Sequence, residues 1–91
     1  MGYGSVTVTS GTAVQVVPAN TQRLSLIISN NGNSFTYLGP DSSVTSTTGI
    51  AVDSGSSYFE DSGGQRTYLG SYYAIAELST NKVSYWERER L

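Results

Sequence analysis

The amino-acid sequence predicts an all-β fold, a single small antiparallel β-sandwich, jelly-roll-like or a compact barrel, with about eight short strands. Three observations carry that expectation. Apolar residues recur at period two and almost nowhere at helical spacing. Charged residues make up only 13% of the 91 residues, and the polar positions are filled instead by Ser, Thr, Gly and Asn, which suit strands and tight turns. Turn-forming clusters punctuate the chain at intervals of roughly ten residues, the spacing expected of a sandwich or small barrel.

Taken in order, Val6 and Val8 alternate with Ser5, Thr7 and Thr9, and Val14 and Val16 flank Gln15 after the turn Ser10-Gly11-Thr12. The pattern reads as a hairpin ended by Pro18. Residues 23–30 form the clearest strand, with Leu24, Leu26 and Ile28 on a core face and Arg23, Ser25, Ile27 and Ser29 opposite. Asn30-Asn31-Gly32-Asn33-Ser34 then reads as a hairpin turn that returns the chain into a partner strand from Phe35 to Leu38, closed by Gly39-Pro40-Asp41.

From Ser42 to Ser57 large apolar residues are sparse, which predicts a long ordered surface loop with one short strand at Ile50 to Val52. Tyr58 and Phe59 mark another strand, and Asp61-Ser62-Gly63-Gly64 a turn. Tyr72 to Leu78 and Lys82 to Glu89 are the last two strands, with Ser79-Thr80-Asn81 turning between them. In the final strand Val83, Tyr85, Glu87 and Glu89 share one face, and Trp86, Arg88 and Arg90 the other. One domain spans residues 1–91, with residues 1–5, carrying Gly2-Tyr3-Gly4, read as an N-terminal arm.

A domain this short buries only ~60–65% of the surface its unfolded chain exposes. The chain has neither cysteine nor histidine, so disulfides, thiolate metal clusters and the commonest zinc ligand and proton carrier are excluded. Association with copies or partners is the remaining supplement to the core, and an oligomer or lattice-bound subunit is expected. The formal charge of −2 suggests neither nucleic acid nor an anionic membrane as partner. No membrane span or signal peptide is expected either, because no run approaches ~20 apolar residues and the opening MGYGSVTV has neither a basic nor an apolar region.

No catalytic or cofactor-binding constellation emerges. Asp53, Glu60 and Asp61 sit in Ser/Gly-rich surroundings and read as solvated loop residues, and Asp41, Asp53 and Asp61 match no compact calcium loop. A serine nucleophile has no histidine to receive its proton and no Gly-x-Ser-x-Gly elbow. Gly63-Gly64 and Gly2-Tyr3-Gly4 precede no helix that would receive a phosphate. The sequence therefore points to a module that is not an enzyme and carries no metal or cofactor.

The aromatic set is more informative. Tyr3, Tyr37, Tyr58, Tyr68, Tyr72, Tyr73 and Tyr85 join Trp86, and such side chains suit protein interfaces and sugar-stacking platforms alike. Adjacent Tyr72 and Tyr73 cannot both face inward from a regular strand, nor can Tyr85 and Trp86. The run Trp86-Glu87-Arg88-Glu89-Arg90 has two readings, charges that blunt an edge strand or a docking strip. The partner-binding residues expected on the second reading are Tyr3, Tyr85, Trp86, Arg88 and Arg90.

Asn20, Arg23, Leu24, the run Leu26-Ile27-Ile28-Ser29-Asn30, then Tyr37-Leu38-Gly39, Thr48-Gly49-Ile50, Tyr73-Ala74-Ile75 and Glu87 together resemble short tailed-phage virion structural proteins, similar to head decoration proteins. The resemblance covers the chain from Asn20 onward. It implies a β-sandwich or jelly-roll-like virion component on the capsid surface, made in the host cytoplasm, trimeric or bound to the lattice of the major capsid protein. It implies no catalytic residue. The alternative function is a carbohydrate- or receptor-binding module of a phage fibre or tail.

Overall fold

A computed structural model describes residues 3–61 and 68–89. The eight strands are β1 (Tyr3–Thr9), β2 (Val14–Val17), β3 (Arg23–Asn30), β4 (Thr36–Gly39), β5 (Ile50–Val52), β6 (Ser57–Asp61), β7 (Tyr72–Ala76) and β8 (Thr80–Glu89). They form two four-stranded antiparallel sheets, ordered β1-β8-β3-β6 and β2-β7-β4-β5. The pairs β1·β8, β2·β7, β3·β6 and β4·β5 match the first strand with the last and work inward. That is one long hairpin wound into two sheets, the jelly-roll arrangement.

Both sheets contribute to the core between them. Val8, Leu26, Ile28 and Val83 come from the first; Val16, Val17, Leu38, Val52, Tyr72, Ala74 and Ala76 come from the second. Simple alternation explains β1, β7 and β8. In β2 a register shift between Gln15 and Val17 lets two successive valines both turn inward, as a β-bulge does.

The structure corrects the two hairpins expected from the turn signals. β1 and β2 lie in different sheets, as do β3 and β4. Their connections are arches that cross from one sheet to the other, so Val8 and Val16 enter one core from opposite sheets. Buried amides hold the second arch. Asn30 donates through Nδ2 to the carbonyls of Ser34 and Val52, both at 2.8 Å, and its Oδ1 accepts from the Gly32 amide at 3.0 Å. Asn81 donates to Ser34 and Phe35 carbonyls, both at 3.1 Å, and to Thr36 Oγ1 at 2.9 Å. A Cβ at Gly32 would collide with the Asn81 amide, so glycine there serves close approach.

The N-terminal arm expected at residues 1–5 is also corrected. Tyr3, Gly4 and Ser5 are strand residues, in register with Trp86, Tyr85 and Ser84 of β8; Met1 and Gly2 lie outside the described residues. The reason is hydrogen bonding: β8 extends far enough to pair a strand that begins at Tyr3. The turn expected at residues 61–64 falls almost wholly outside the described residues.

One further correction concerns Arg23. Alternation assigns it to the face away from the core, yet it is 0% exposed, while Leu24 is only half-buried. A register shift between Arg23 and Ser25 against β8 makes Leu24 a bulge. Past the bulge the alternation inverts, and Arg23 turns inward to Glu87.

Candidate protein-docking face

The register of the β1-β8-β3-β6 sheet assembles its outer face in rows. Tyr3 is opposite Trp86, Trp86 opposite Ile27, and Ile27 opposite Phe59, so four large apolar side chains cross the whole sheet in one line. Tyr3 is 79% exposed, Trp86 52% and Phe59 58%. Ile27 between them is half-buried; single exposed apolar residues are ordinary, whereas a contiguous apolar row makes a candidate contact surface.

The next row is serine throughout, Ser5–Ser84–Ser29–Ser57. Ser29 and Ser57 hydroxyls lie 2.8 Å apart, and Asn31 Nδ2 donates to Ser84 Oγ at 2.8 Å. A shallow groove runs between the two rows, lined among others by Tyr3, Ile27, Ser29, Ser84 and Trp86. Lys82, opposite Thr7, and Arg88, opposite Ser25, place a cation on β8 to either side. The face is thus apolar at its centre and hydroxylated beside it, with Lys82 at one margin and, at the other, a row that holds both Arg88 and Asp61.

Of the residues expected to bind a partner, Tyr3, Trp86 and Arg88 share this face. Tyr85 does not. It is opposite Ile28, packs against the core, and its ring lies over Gly4, where an added Cβ would stand 3.3 Å from the ring. Arg90 lies outside the described residues. From Thr80 to Trp86 β8 is flanked by β1 and β3, whereas Glu87, Arg88 and Glu89 pair with β3 and lie past the Tyr3↔Trp86 end of the β1 register, so the edge-blunting reading of the terminal strip stands beside the docking one. Ile27 and Phe59 were not singled out from the sequence, although Tyr58-Phe59 carries the same adjacency signal as Tyr85-Trp86.

Glu87 belongs to a buried polar cluster at the end of the sandwich. Arg23 Nε donates to Glu87 Oε2 at 2.6 Å, Nη1 to the carbonyls of Tyr68 and Gly70 at 2.8 and 3.0 Å, and Nη2 to the Pro18 carbonyl at 2.8 Å. Asn20 Nδ2 donates to Glu89 at 2.9 Å. The Arg23 guanidinium also lies 5.6 Å from the centre of the Tyr72 ring. This cluster fixes the segments around Pro18 and Tyr68 to β3 and β8.

Beside it, between the sheets, Tyr68 packs edge against face on Tyr72, Tyr58 lies tilted against Tyr72, and the three border a cleft with Ile50 and Glu60. Glu60 is therefore not the solvated loop residue expected. It sits on β6 and accepts a hydrogen bond from the Tyr72 hydroxyl. Burial first, and the Glu60 hydrogen bond second, push the Tyr72 hydroxyl far above its ordinary value, so it serves as a neutral donor. Among the described residues every buried side-chain nitrogen and oxygen has a hydrogen-bond partner, and no group of acidic residues is placed to hold a metal ion. The chain matches no family model, no curated protein and no solved structure.

Proposed function

We propose that this protein is a virion structural protein that decorates and stabilises the outer surface of a tailed-phage capsid, docking through the outer face of the β1-β8-β3-β6 sheet. The observation that carries the reading is the apolar row Tyr3–Trp86–Ile27–Phe59, exposed at Tyr3, Trp86 and Phe59. Aromatic residues at the centre of a contact and arginine beside them are the usual anchors of protein interfaces. The partner surface that fits is an apolar strip with a carboxylate on the flank that Lys82 would meet, presented by neighbouring subunits of the major capsid protein. A protein that binds only the assembled lattice stabilises it by its binding free energy, summed over many copies.

The test is co-sedimentation of the purified protein with assembled heads and, separately, with unassembled capsid subunits. Wild type is expected to sediment with heads only. Trp86→Ser or Phe59→Ser is expected to weaken binding by about 1–3 kcal/mol, roughly 5- to 150-fold in Kd. Equal binding to free subunits, or no effect of either substitution, defeats the reading.

The serine row beside the aromatic row favours a second reading, a carbohydrate-binding face of a fibre or tail, since hydroxyls next to exposed rings suit a sugar. Trp86 is the single tryptophan of the chain, so its fluorescence reports on this face directly. A saturable fluorescence change with a host saccharide, in a protein that ignores heads, would establish the second reading over the first.

A further inference from the structure

A sheet that does not close has edges, and the sandwich has four: β1 and β6 in one sheet, β2 and β5 in the other. An edge strand presents unpaired backbone donors and acceptors, and proteins normally blunt it by shortness, charge, proline or a bulge. Three of the four edges are blunted in this way. β5 has three residues, β6 ends in Glu60 and Asp61, and β2 is bulged and followed by Pro18. β1 has none of these devices. Its seven residues, Tyr-Gly-Ser-Val-Thr-Val-Thr, include no charge and no proline, and its register with β8 is unbroken from Tyr3 to Thr9.

The same ladder tells which groups the edge offers. The Ser10 amide donates to the Ser79 carbonyl on the β8 side. In an antiparallel pair such bonding alternates, so the even-numbered residues of β1 face β8, and Tyr3, Ser5, Thr7 and Thr9 direct N–H and C=O away from it. Ser5 and Thr7 side chains are exposed, and Val8 on the other face is buried in the core.

We infer that β1 is the pairing edge for a second copy of this chain, joined antiparallel about a two-fold axis at Val6. That register sets Tyr3 opposite the partner's Thr9 and Ser5 opposite the partner's Thr7, so all four outward-facing residues pair. It is the register that uses the whole strand. An isologous pairing sets the strand against its own copy, so that residue i meets j and j meets i, which an edge of one charge would resist and this uncharged one does not. The result is a continuous eight-stranded sheet whose two aromatic rows share one face, offset along the strands by about 20 Å, six residues at about 3.4 Å each. The two-fold gives a dimer in place of the trimer that the resemblance implies. The inference does not rest on the capsid reading.

The test is analytical ultracentrifugation of the full chain, with thermal melting as a check on folding. Wild type is expected to sediment at twice the chain mass. Thr7→Pro removes an outward N–H that the β8 ladder does not use, and is expected to give a folded monomer. Should proline unfold the protein, the register supplies a second pair of variants. Ser5→Lys with Thr7→Lys sets lysine against lysine twice across the axis and is expected to raise the dissociation constant roughly tenfold or more. Ser5→Lys with Thr7→Glu sets lysine against glutamate twice and retains the dimer. A wild type that is monomeric at millimolar concentration, a trimer, or a dimer indifferent to both double variants overturns the inference. Trp86→Ser, which tests the docking face, leaves the dimer intact, so failure of one proposal is read separately from failure of the other.

Discussion

Arg23 is the residue on which the end of the sandwich is organised. Burying an unpaired guanidinium would cost several kcal/mol, and here the charge is met by Glu87 and by three backbone carbonyls. Removing either member strands the other. Arg23→Leu and Glu87→Leu are each expected to destabilise by about 3–5 kcal/mol in urea unfolding. The double variant is expected to lose less than the sum by about 1–3 kcal/mol; strict additivity would show the pair to be uncoupled. Tyr72 offers a test by pH. Its folded-state pKa lies above the unfolded value of 10.0, so the folded protein holds this proton more tightly. The associated stability is complete below about pH 10 and is lost as pH rises past it. Tyr72→Phe should therefore flatten the alkaline fall in stability between about pH 10 and 12, as read by urea midpoints across that range; an unchanged slope would remove Tyr72 as its source. Leu26 and Ile28 were legible as core because a regular strand alternates. Arg23 was not, because a bulge at Leu24 inverts the alternation and leaves no mark in residue type.

At the scale of elements, the strands were legible and their pairing was not. Period-two runs and turn residues located β5 at Ile50–Val52 and β8 over most of its length. The same turn residues suggested hairpins at Ser10-Gly11-Thr12 and at Asn31-Gly32, and both are arches. A local turn signal states that the chain reverses; it does not state which sheet receives the next strand. That choice rests on distant partners, Val83 opposite Val6 and Ala74 opposite Val14. The docking face shows the same division. Trp86, Tyr3 and Arg88 were visible as candidates from residue type, and Ile27 was placed on the outward face of its strand. That they stand in one row with Phe59 follows only from β8 lying between β1 and β3 in this register.

For the molecule as a whole, winding one long hairpin makes the outermost pair the least local. Tyr3 meets Trp86 and Thr9 meets Thr80, so β1 joins its sheet only after the rest of the chain has been brought round. Folds dominated by such pairings close large loops before contacts compensate and fold on the millisecond-to-second scale. The geometry also brings the two ends of the described chain side by side, which permits a direct test. Joining the ends of the chain through a short Gly/Ser linker and opening it between Gly11 and Thr12 moves β1 behind β8 and turns their pairing into a hairpin. The opening site is exposed, and nothing lies within 4 Å of a Cβ built on Gly11, so the permuted chain is expected to keep its core and melt within a few degrees of wild type. Its sequence-distant pairs are fewer, and it is expected to refold roughly tenfold faster in stopped-flow dilution from urea. Unfolding rates should change little if the β1·β8 pairing is already formed in the transition state, because the shorter loop then lowers the barrier and the folded state equally relative to the unfolded chain. An unchanged refolding rate would mean that β1·β8 closure is not part of the barrier, and that the inner pairs β3·β6 and β4·β5 set the pace of folding.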